Sequence, residues 1–121
     1  MPKVLIIDDD RASCEALLKS FMSLEGFELL IQTETGDKLA EEAGSYSPDL
    51  ILLGLTLPSK SLANFVASLK KSAANAYFFL LAEKIDYALE KRALSAGVTA
   101  VFAKFDDYEA LIRNAQTLFD K

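Results

Sequence analysis

The chain has 121 residues, with 13 lysines and arginines against 18 aspartates and glutamates, and 51% of its residues are hydrophobic. This length and composition predict a single globular domain, residues 1–121. No histidine is present, which excludes Ser-His-Asp and Cys-His nucleophile pairs and imidazole metal sites. The net charge of −5 predicts no general attraction to nucleic acid or anionic lipid. The first apolar run, Val4 to Ile7, is too short for a signal peptide or a membrane span, so we expect a cytoplasmic domain.

Short apolar segments rich in β-branched and aromatic residues predict five strands. In chain order they are Val4 to Ile7, Phe27 to Ile31, Leu50 to Leu53, Phe78 to Leu81 and Val98 to Phe102. Three of them are unbroken apolar runs, which is typical of strands covered by helices on both faces, as in parallel sheets.

Each strand is followed by a segment whose apolar residues recur at helical spacing. Five helices are predicted. The first has an apolar stripe from Cys14 to Met22 and stops at Gly26, and the second, over residues 36–45, is weaker and more polar. The third has a stripe from Leu62 to Leu69, the fourth spans residues 84–96 and ends at Gly97, and the fifth has a stripe from Tyr108 to Phe119 with Asp106 as its N-cap. The strict alternation of strand and helix, with right-handed crossovers, predicts a three-layer, doubly wound α/β domain. In such sheets the functional crevice lies beyond the carboxyl ends of the strands.

Charged residues follow two of the predicted strands. Asp8, Asp9 and Asp10 follow the first strand, Gly54 follows the third, and Lys104 follows the fifth. Adjacent carboxylates repel one another, so the three acids favour a nearby cation, and Mg²⁺ prefers such ligands. Alternatively, Asp10 is the N-cap of the first helix and the other two acids are solvated. Lys104 could neutralise the acids, contact a phosphoryl oxygen, or be an ordinary solvated lysine.

Three stretches of the chain resemble motifs of one family. Lys3 to Asp10 is similar to the first strand and acidic pair of the receiver domain of bacterial response regulators. Pro48 to Pro58 is similar to that family's third strand and following loop, and Gly97 to Phe105 to its fifth strand. The resemblance covers the whole chain and implies a flavodoxin-like fold, with five parallel strands in the order 2-1-3-4-5 and five helices.

The resemblance also implies roles for individual residues, and several positions depart from the family pattern. Asp8 and Asp9 correspond to the acids that hold Mg²⁺, and Lys104 to the family's essential lysine. The phosphoacceptor aspartate is replaced by Gly54, and the hydroxyl at the end of the fourth strand by Ala82.

Two further departures lie near the essential lysine. The aromatic residue that moves with the missing hydroxyl is replaced by Val101, and the proline after the lysine by Phe105. We expect a trans bond before Phe105, because a cis bond without proline costs about 3 kcal/mol or more.

These departures lead to a functional hypothesis. We expect a pseudo-receiver of a two-component or phosphorelay system, without enzymatic activity, that acts by binding other proteins. Mg²⁺ should bind weakly or not at all, no other cofactor is expected, and Lys104 should turn toward Asp8 or Asp9. The resemblance implies partner binding or self-association through the fourth helix, fifth strand and last helix. That predicted face comprises Leu94, Val101, Phe105, Tyr108 and Ile112, and we expect neither nucleic acid nor a membrane as its partner.

Two alternatives stay open. The domain could be a receiver phosphorylated at another residue, such as Thr56 or Asp10. It could instead be a small flavin or nucleotide-binding protein, although its five glycines are scattered and form no phosphate-binding loop.

Overall fold

The computed structural model describes residues 1–22, 24–32, 42–54 and 59–120. These residues form five strands, four α-helices and one 3₁₀ turn. The strands are β1 (Lys3–Ile7), β2 (Glu28–Gln32), β3 (Leu50–Leu53), β4 (Tyr77–Ala82) and β5 (Ala100–Ala103). The helices are α1 (Arg11–Met22), α2 (Ser59–Ser72), α3 (Tyr87–Ala96) and α4 (Tyr108–Phe119), and the 3₁₀ turn spans Gly44–Tyr46.

The five strands form one parallel sheet in the order β2-β1-β3-β4-β5, which confirms the predicted topology. Ile7 at the end of β1 pairs in register with Leu53 at the end of β3. This register brings the residues that follow these two strands, Asp8 and Gly54, side by side.

Both faces of the sheet are buried, because alternate strand residues point to opposite sides. One face of the sheet, including Leu5, Ile7 and Leu53, packs against α2 and α3. The other, including Val4 and Ile6, packs against α1 and α4. Burying each of these aliphatic side chains contributes about 1.5–3 kcal/mol, so both helical layers stabilise the sheet.

The structure differs from the prediction in its helices. Five helices were predicted, and the described residues form four. Most of the predicted helix over residues 36–45 lies outside the described residues. At its described end, residues 42–43 are helical and the 3₁₀ turn Gly44–Tyr46 follows. The helix predicted over residues 84–96 begins at Tyr87, because the Asp86 side chain accepts a hydrogen bond from the Leu89 amide (2.7 Å) and caps it there.

The predicted N-cap of the last helix was wrong by one residue. Asp107, not Asp106, occupies the cap position of α4, and its side chain makes no capping hydrogen bond. The Asp107 carboxylate accepts instead from the Ala103 amide (2.8 Å), which fixes the turn between β5 and α4. Gly26 and Gly97 have φ values of +99° and +104°, consistent with left-handed turns after α1 and α3. In the described part of the chain, no helix is both long and apolar enough to cross a membrane.

Candidate functional site

Asp8 is the centre of the site at the carboxyl edge of the sheet. It directly follows β1, and its side chain is completely buried. Its Oδ1 accepts a hydrogen bond from the Asp10 amide (2.9 Å). Burying a carboxylate costs free energy unless it is paired with a positive charge, so Asp8 requires a neighbouring cation.

Lys104 supplies that cation. Its Nζ lies 3.3 Å from Asp8 Oδ1, and the two side chains are 6% and 0% exposed. The predicted pairing of Lys104 with a first-strand acid is confirmed, and its partner is Asp8. Asp9 is exposed to solvent. Because both charges are buried, each depends on the other for compensation.

Gly54 lies against the Asp8 side chain. A Cβ placed on Gly54 would be 2.6 Å from Asp8 Cγ and closer still to Oδ2, too near for a real contact. The backbone of Gly54 is outside the left-handed region, so its dihedral angles do not require glycine, and a larger residue would have to displace the Asp8 side chain. The Asp8 carboxylate therefore occupies the space into which a side chain at residue 54 would extend.

The second oxygen of Asp8 bears on whether the site could hold Mg²⁺. Oδ2 is buried and has no hydrogen-bond partner, so one carboxylate oxygen next to Gly54 is available to ligate a metal ion. Oδ1 is already engaged by Lys104 and the Asp10 amide. Among the described residues, no group of three acidic, histidine or cysteine side chains lies close enough to hold a metal ion. Because Lys104 already compensates the Asp8 charge, the described residues offer Mg²⁺ a weak site.

Asp10 caps the first helix. Its Oδ1 accepts from the Ala12 amide (3.0 Å) and the Ser13 amide (3.4 Å). The alternative that made Asp10 an N-cap is thus confirmed for Asp10. The same alternative predicted that Asp8 is solvated, which was wrong. Asp8 is buried, and its pairing with Lys104 compensates the charge of the carboxylate.

The other departures from the family pattern lie around Lys104. Ala82 ends β4 half-buried, and its carbonyl accepts from the Lys104 amide (2.8 Å). Val101 is partly buried and packs on the α2 and α3 side of the sheet. The bond between Lys104 and Phe105 is trans, as predicted, and Phe105 has a φ of +66°, a left-handed conformation that costs roughly 1–2 kcal/mol in a residue other than glycine. Thr56 lies outside the described residues.

Sequence reasoning missed a buried pair of hydroxyls. Ser13 of α1 and Tyr108 of α4 are both buried and hydrogen-bonded to each other through Oγ and the phenol oxygen. Burial raises the pKa of Tyr108, and the hydrogen bonds from Ser13 and the Phe105 backbone oppose that rise without cancelling it. A serine next to the apolar stripe of α1 was the one signal in the sequence for this contact.

Cys14, the neighbour of Ser13, is also buried beside the site. Its thiol donates to the Asp8 carbonyl (3.6 Å). Burial, followed by the negative charges of Asp8 and Asp10, raises the pKa of this thiol. The thiol form is therefore favoured over the thiolate.

The predicted interaction face is only partly available on the surface. Leu94 and Phe105 are 46% and 50% exposed. Tyr108 and Ile112 were predicted on this face, but both are buried in the core between the sheet and α1. That prediction was wrong for these two residues, because the inward stripe of α4 includes both of them.

Comparison with known proteins identifies a matching family and several similar proteins. A family model described as the response regulator receiver domain matches residues 4–116. The chain is 24% identical over 100 residues to the chemotaxis protein CheY of Bacillus subtilis, covering 83% of each chain. It is 23% identical over 104 residues to the chemotaxis protein CheY of Thermotoga maritima, covering 86% of this chain and 87% of the relative. The crystal structure of a response regulator from Thermotoga maritima superposes with a TM-score of 0.82 at 17% identity, covering 100% of this chain and 99% of the other, a likeness of fold alone.

Proposed function

The chain belongs to the response regulator receiver domain family, and we propose that it is a cytoplasmic pseudo-receiver, which signals by binding proteins and transfers no phosphoryl group. The observation that carries this proposal is the arrangement of Gly54, Asp8 and Lys104. Residue 54 has no nucleophile, and the Asp8 carboxylate fills the adjacent space. The site therefore lacks both the reacting group and the room for it.

The remaining carboxylate is poorly suited to replace the acceptor. To form an acyl phosphate, a carboxylate oxygen must attack phosphorus while the bond to the donor's leaving group breaks, and the two must lie roughly in line. Asp8 is completely buried and its Oδ1 is held by Lys104 and the Asp10 amide. We therefore propose that Asp8 is a structural counter-charge and no phosphoacceptor.

Lys104 supports the same proposal. An ammonium paired with a buried carboxylate at 3.3 Å would have to leave that carboxylate, or divide its donors, to contact a phosphoryl oxygen. Ala82 has no hydroxyl to donate to one. The ion pair of Asp8 and Lys104 stands where other receivers gain and lose a phosphoryl group, so the charges at the carboxyl edge do not change. The domain then acts as a binding module with a constant conformation.

The surface that would bind partners is formed by α3, β5 and α4. Leu94 on α3 and Phe105 after β5 are the two half-exposed large apolar side chains of this face, and partly exposed aromatic residues are common at protein interfaces. We propose that this surface contacts a protein partner or a second copy of the domain, and that it contacts neither nucleic acid nor a membrane.

The test is incubation with acetyl phosphate and Mg²⁺, followed by intact-mass measurement. The expected result is an unchanged mass, while a receiver that has the acceptor aspartate gains one phosphoryl group in parallel and shows that the donor is active. A stable phosphoryl increment on this chain would overturn the proposal. Thr56→Ala and Asp10→Asn variants would then identify whether either residue had accepted the group.

A further inference from the structure

A groove runs between α2 and α3 on the outer side of the helical layer. Its volume is about 570 Å³. From α2 it is lined by Leu62 and Ala63. From α3 it is lined by Tyr87, Lys91, Arg92 and Ser95, together with two alanines. Leu94 and Phe105 are not among its lining residues, so the groove is separate from the face of α3, β5 and α4.

The groove exists because small side chains line the contact between two helices. Alanines on both walls leave a depression over Leu62, which is only 5% exposed and forms an apolar floor. Tyr87 stands at the first turn of α3 and is 81% exposed. An exposed aromatic beside an apolar floor is a common anchor for a bound protein segment.

The charge of the groove is opposite to that of the chain. Lys91 and Arg92 are exposed, and neither makes an ion pair within the described residues. None of the described residues that line the groove is acidic, although the chain has a net charge of −5. Two uncompensated cations beside an apolar floor are complementary to a ligand that is acidic and apolar at once.

We propose that the α2–α3 groove docks an acidic amphipathic helix of a partner protein. The α3 wall from Tyr87 to Ala96 is about 14 Å long, roughly two and a half helical turns. A helix of that length presents apolar side chains at i, i+3 or i+4, and i+7 on one face. These side chains contact Leu62 and the alanines, and flanking carboxylates contact Lys91 and Arg92.

The test is selection of binders from an unbiased displayed library of peptides of about twelve residues, roughly three helical turns, against the immobilised domain. Because the whole domain is acidic, non-specific attraction favours basic peptides. The expected result is enrichment of acidic peptides with apolar residues at helical spacing. Enrichment of neutral or basic peptides would overturn the proposal.

Two variants locate the binding of an enriched peptide, measured by fluorescence anisotropy. The double variant Lys91→Glu/Arg92→Glu should weaken binding by about tenfold or more, because it reverses both attractions. Ala88→Trp should weaken binding by filling the groove. The matched control, Lys19→Glu/Arg113→Glu, makes the same change in net charge on exposed residues of α1 and α4 and should leave binding within about twofold of the wild type.

Two further results would contradict the proposal. Equal binding by the wild type and both groove variants would mean that the peptide sits elsewhere. A small amphipathic anion, octanoate, is the second probe, since the volume would also suit a small molecule. If octanoate shifts the amide resonances of the groove and no acidic peptide does, the groove is a small-molecule site and the helix proposal fails.

Discussion

At the scale of single residues, Asp8 connects the features of the carboxyl edge. Its carboxylate compensates Lys104, accepts from the Asp10 amide and occupies the space beside Gly54. Removing either partner of a buried ion pair costs about 3–5 kcal/mol, since an uncompensated charge is left behind. The identity of residue 54 is thus tied to that of residue 8 by packing as well as by charge.

This dependence predicts the effect on stability of moving the carboxylate from residue 8 to residue 54. Gly54→Asp should lower the free energy of unfolding by at least about 1–3 kcal/mol, because its new Cβ meets the Asp8 side chain. Asp8→Ala should lower it by about 3–5 kcal/mol, because Lys104 loses its partner. In the double variant the carboxylate at residue 54 has the space that Asp8 vacates and can pair with Lys104.

Urea denaturation of the four proteins measures this coupling. The double variant should be more stable than the sum of the single effects predicts, by about 1 kcal/mol or more. Gly54→Ala, which adds a Cβ without a charge, separates the crowding from the repulsion between two carboxylates. Strict additivity would show that residues 8 and 54 do not compete for the same space.

At the scale of elements, the hydroxyl pair of Ser13 and Tyr108 joins the first turn of α1 to the first turn of α4. Phe105 packs on the Tyr108 ring with centroids 5.6 Å apart, so the turn after β5 is attached to the same point. Lys104 is in that turn, and Asp8 lies in the short segment between β1 and α1. The hydroxyl contact therefore holds together the two segments that present the ion pair.

The contribution of this contact can be measured by a double-mutant cycle. Tyr108→Phe and Ser13→Ala should each lower the free energy of unfolding by about 1–3 kcal/mol, because each leaves a buried hydroxyl without its partner. The double variant should lose less stability than the sum of the two single losses, since removing both partners leaves neither hydroxyl without the other. Ser95→Ala, at an exposed position of α3, is the control and should change stability by less than about 0.5 kcal/mol. Fully additive losses would contradict a direct coupling.

The elements also show which features the sequence could predict. The unbroken apolar runs predicted β1, β3 and β4, and the alternation of strand and helix predicted the parallel sheet. The chain order of strand ends was enough to bring Lys104 to the first-strand acids. The crowding at Gly54 could not be predicted, because it depends on the direction of the Asp8 side chain. Helical spacing identified the apolar stripe of α4 that contains Tyr108 and Ile112, and the error was to assign these two residues to the interaction face as well. The N-cap was displaced because the Asp107 carboxylate binds the Ala103 amide.

At the scale of the whole molecule, the two layers of helices separate the functional surfaces. The α1 and α4 layer contains the buried hydroxyl pair and the thiol of Cys14. The α2 and α3 layer contains the basic groove. The two buried groups with raised pKa values, Tyr108 and Cys14, both lie in the α1 and α4 layer, so the effect of their ionisation at alkaline pH falls on the core of that layer.

The direction of this effect follows from the Tyr108 and Cys14 pKa values. Both are raised by burial above their ordinary values of 10.0 and 9.0, so the folded state favours the neutral forms. Their contribution to stability is complete below these values. It is lost as pH rises through the folded pKa values, because the unfolded chain releases these protons first. The free energy of unfolding should thus fall as pH rises above about 9, the region where an ordinary cysteine begins to titrate.

Urea denaturation across neutral and alkaline pH, with Tyr108→Phe beside the wild type, isolates the tyrosine. The variant should start less stable at neutral pH and lose less stability above about pH 10, where an ordinary phenol ionises, so that the two curves converge. Tyr87→Phe, which alters an 81% exposed ring, is the matched control and should run parallel to the wild type. Parallel curves for Tyr108→Phe would mean that the buried phenol is not linked to folding. Convergence would show that the contact between α1 and α4 depends on the neutral hydroxyl.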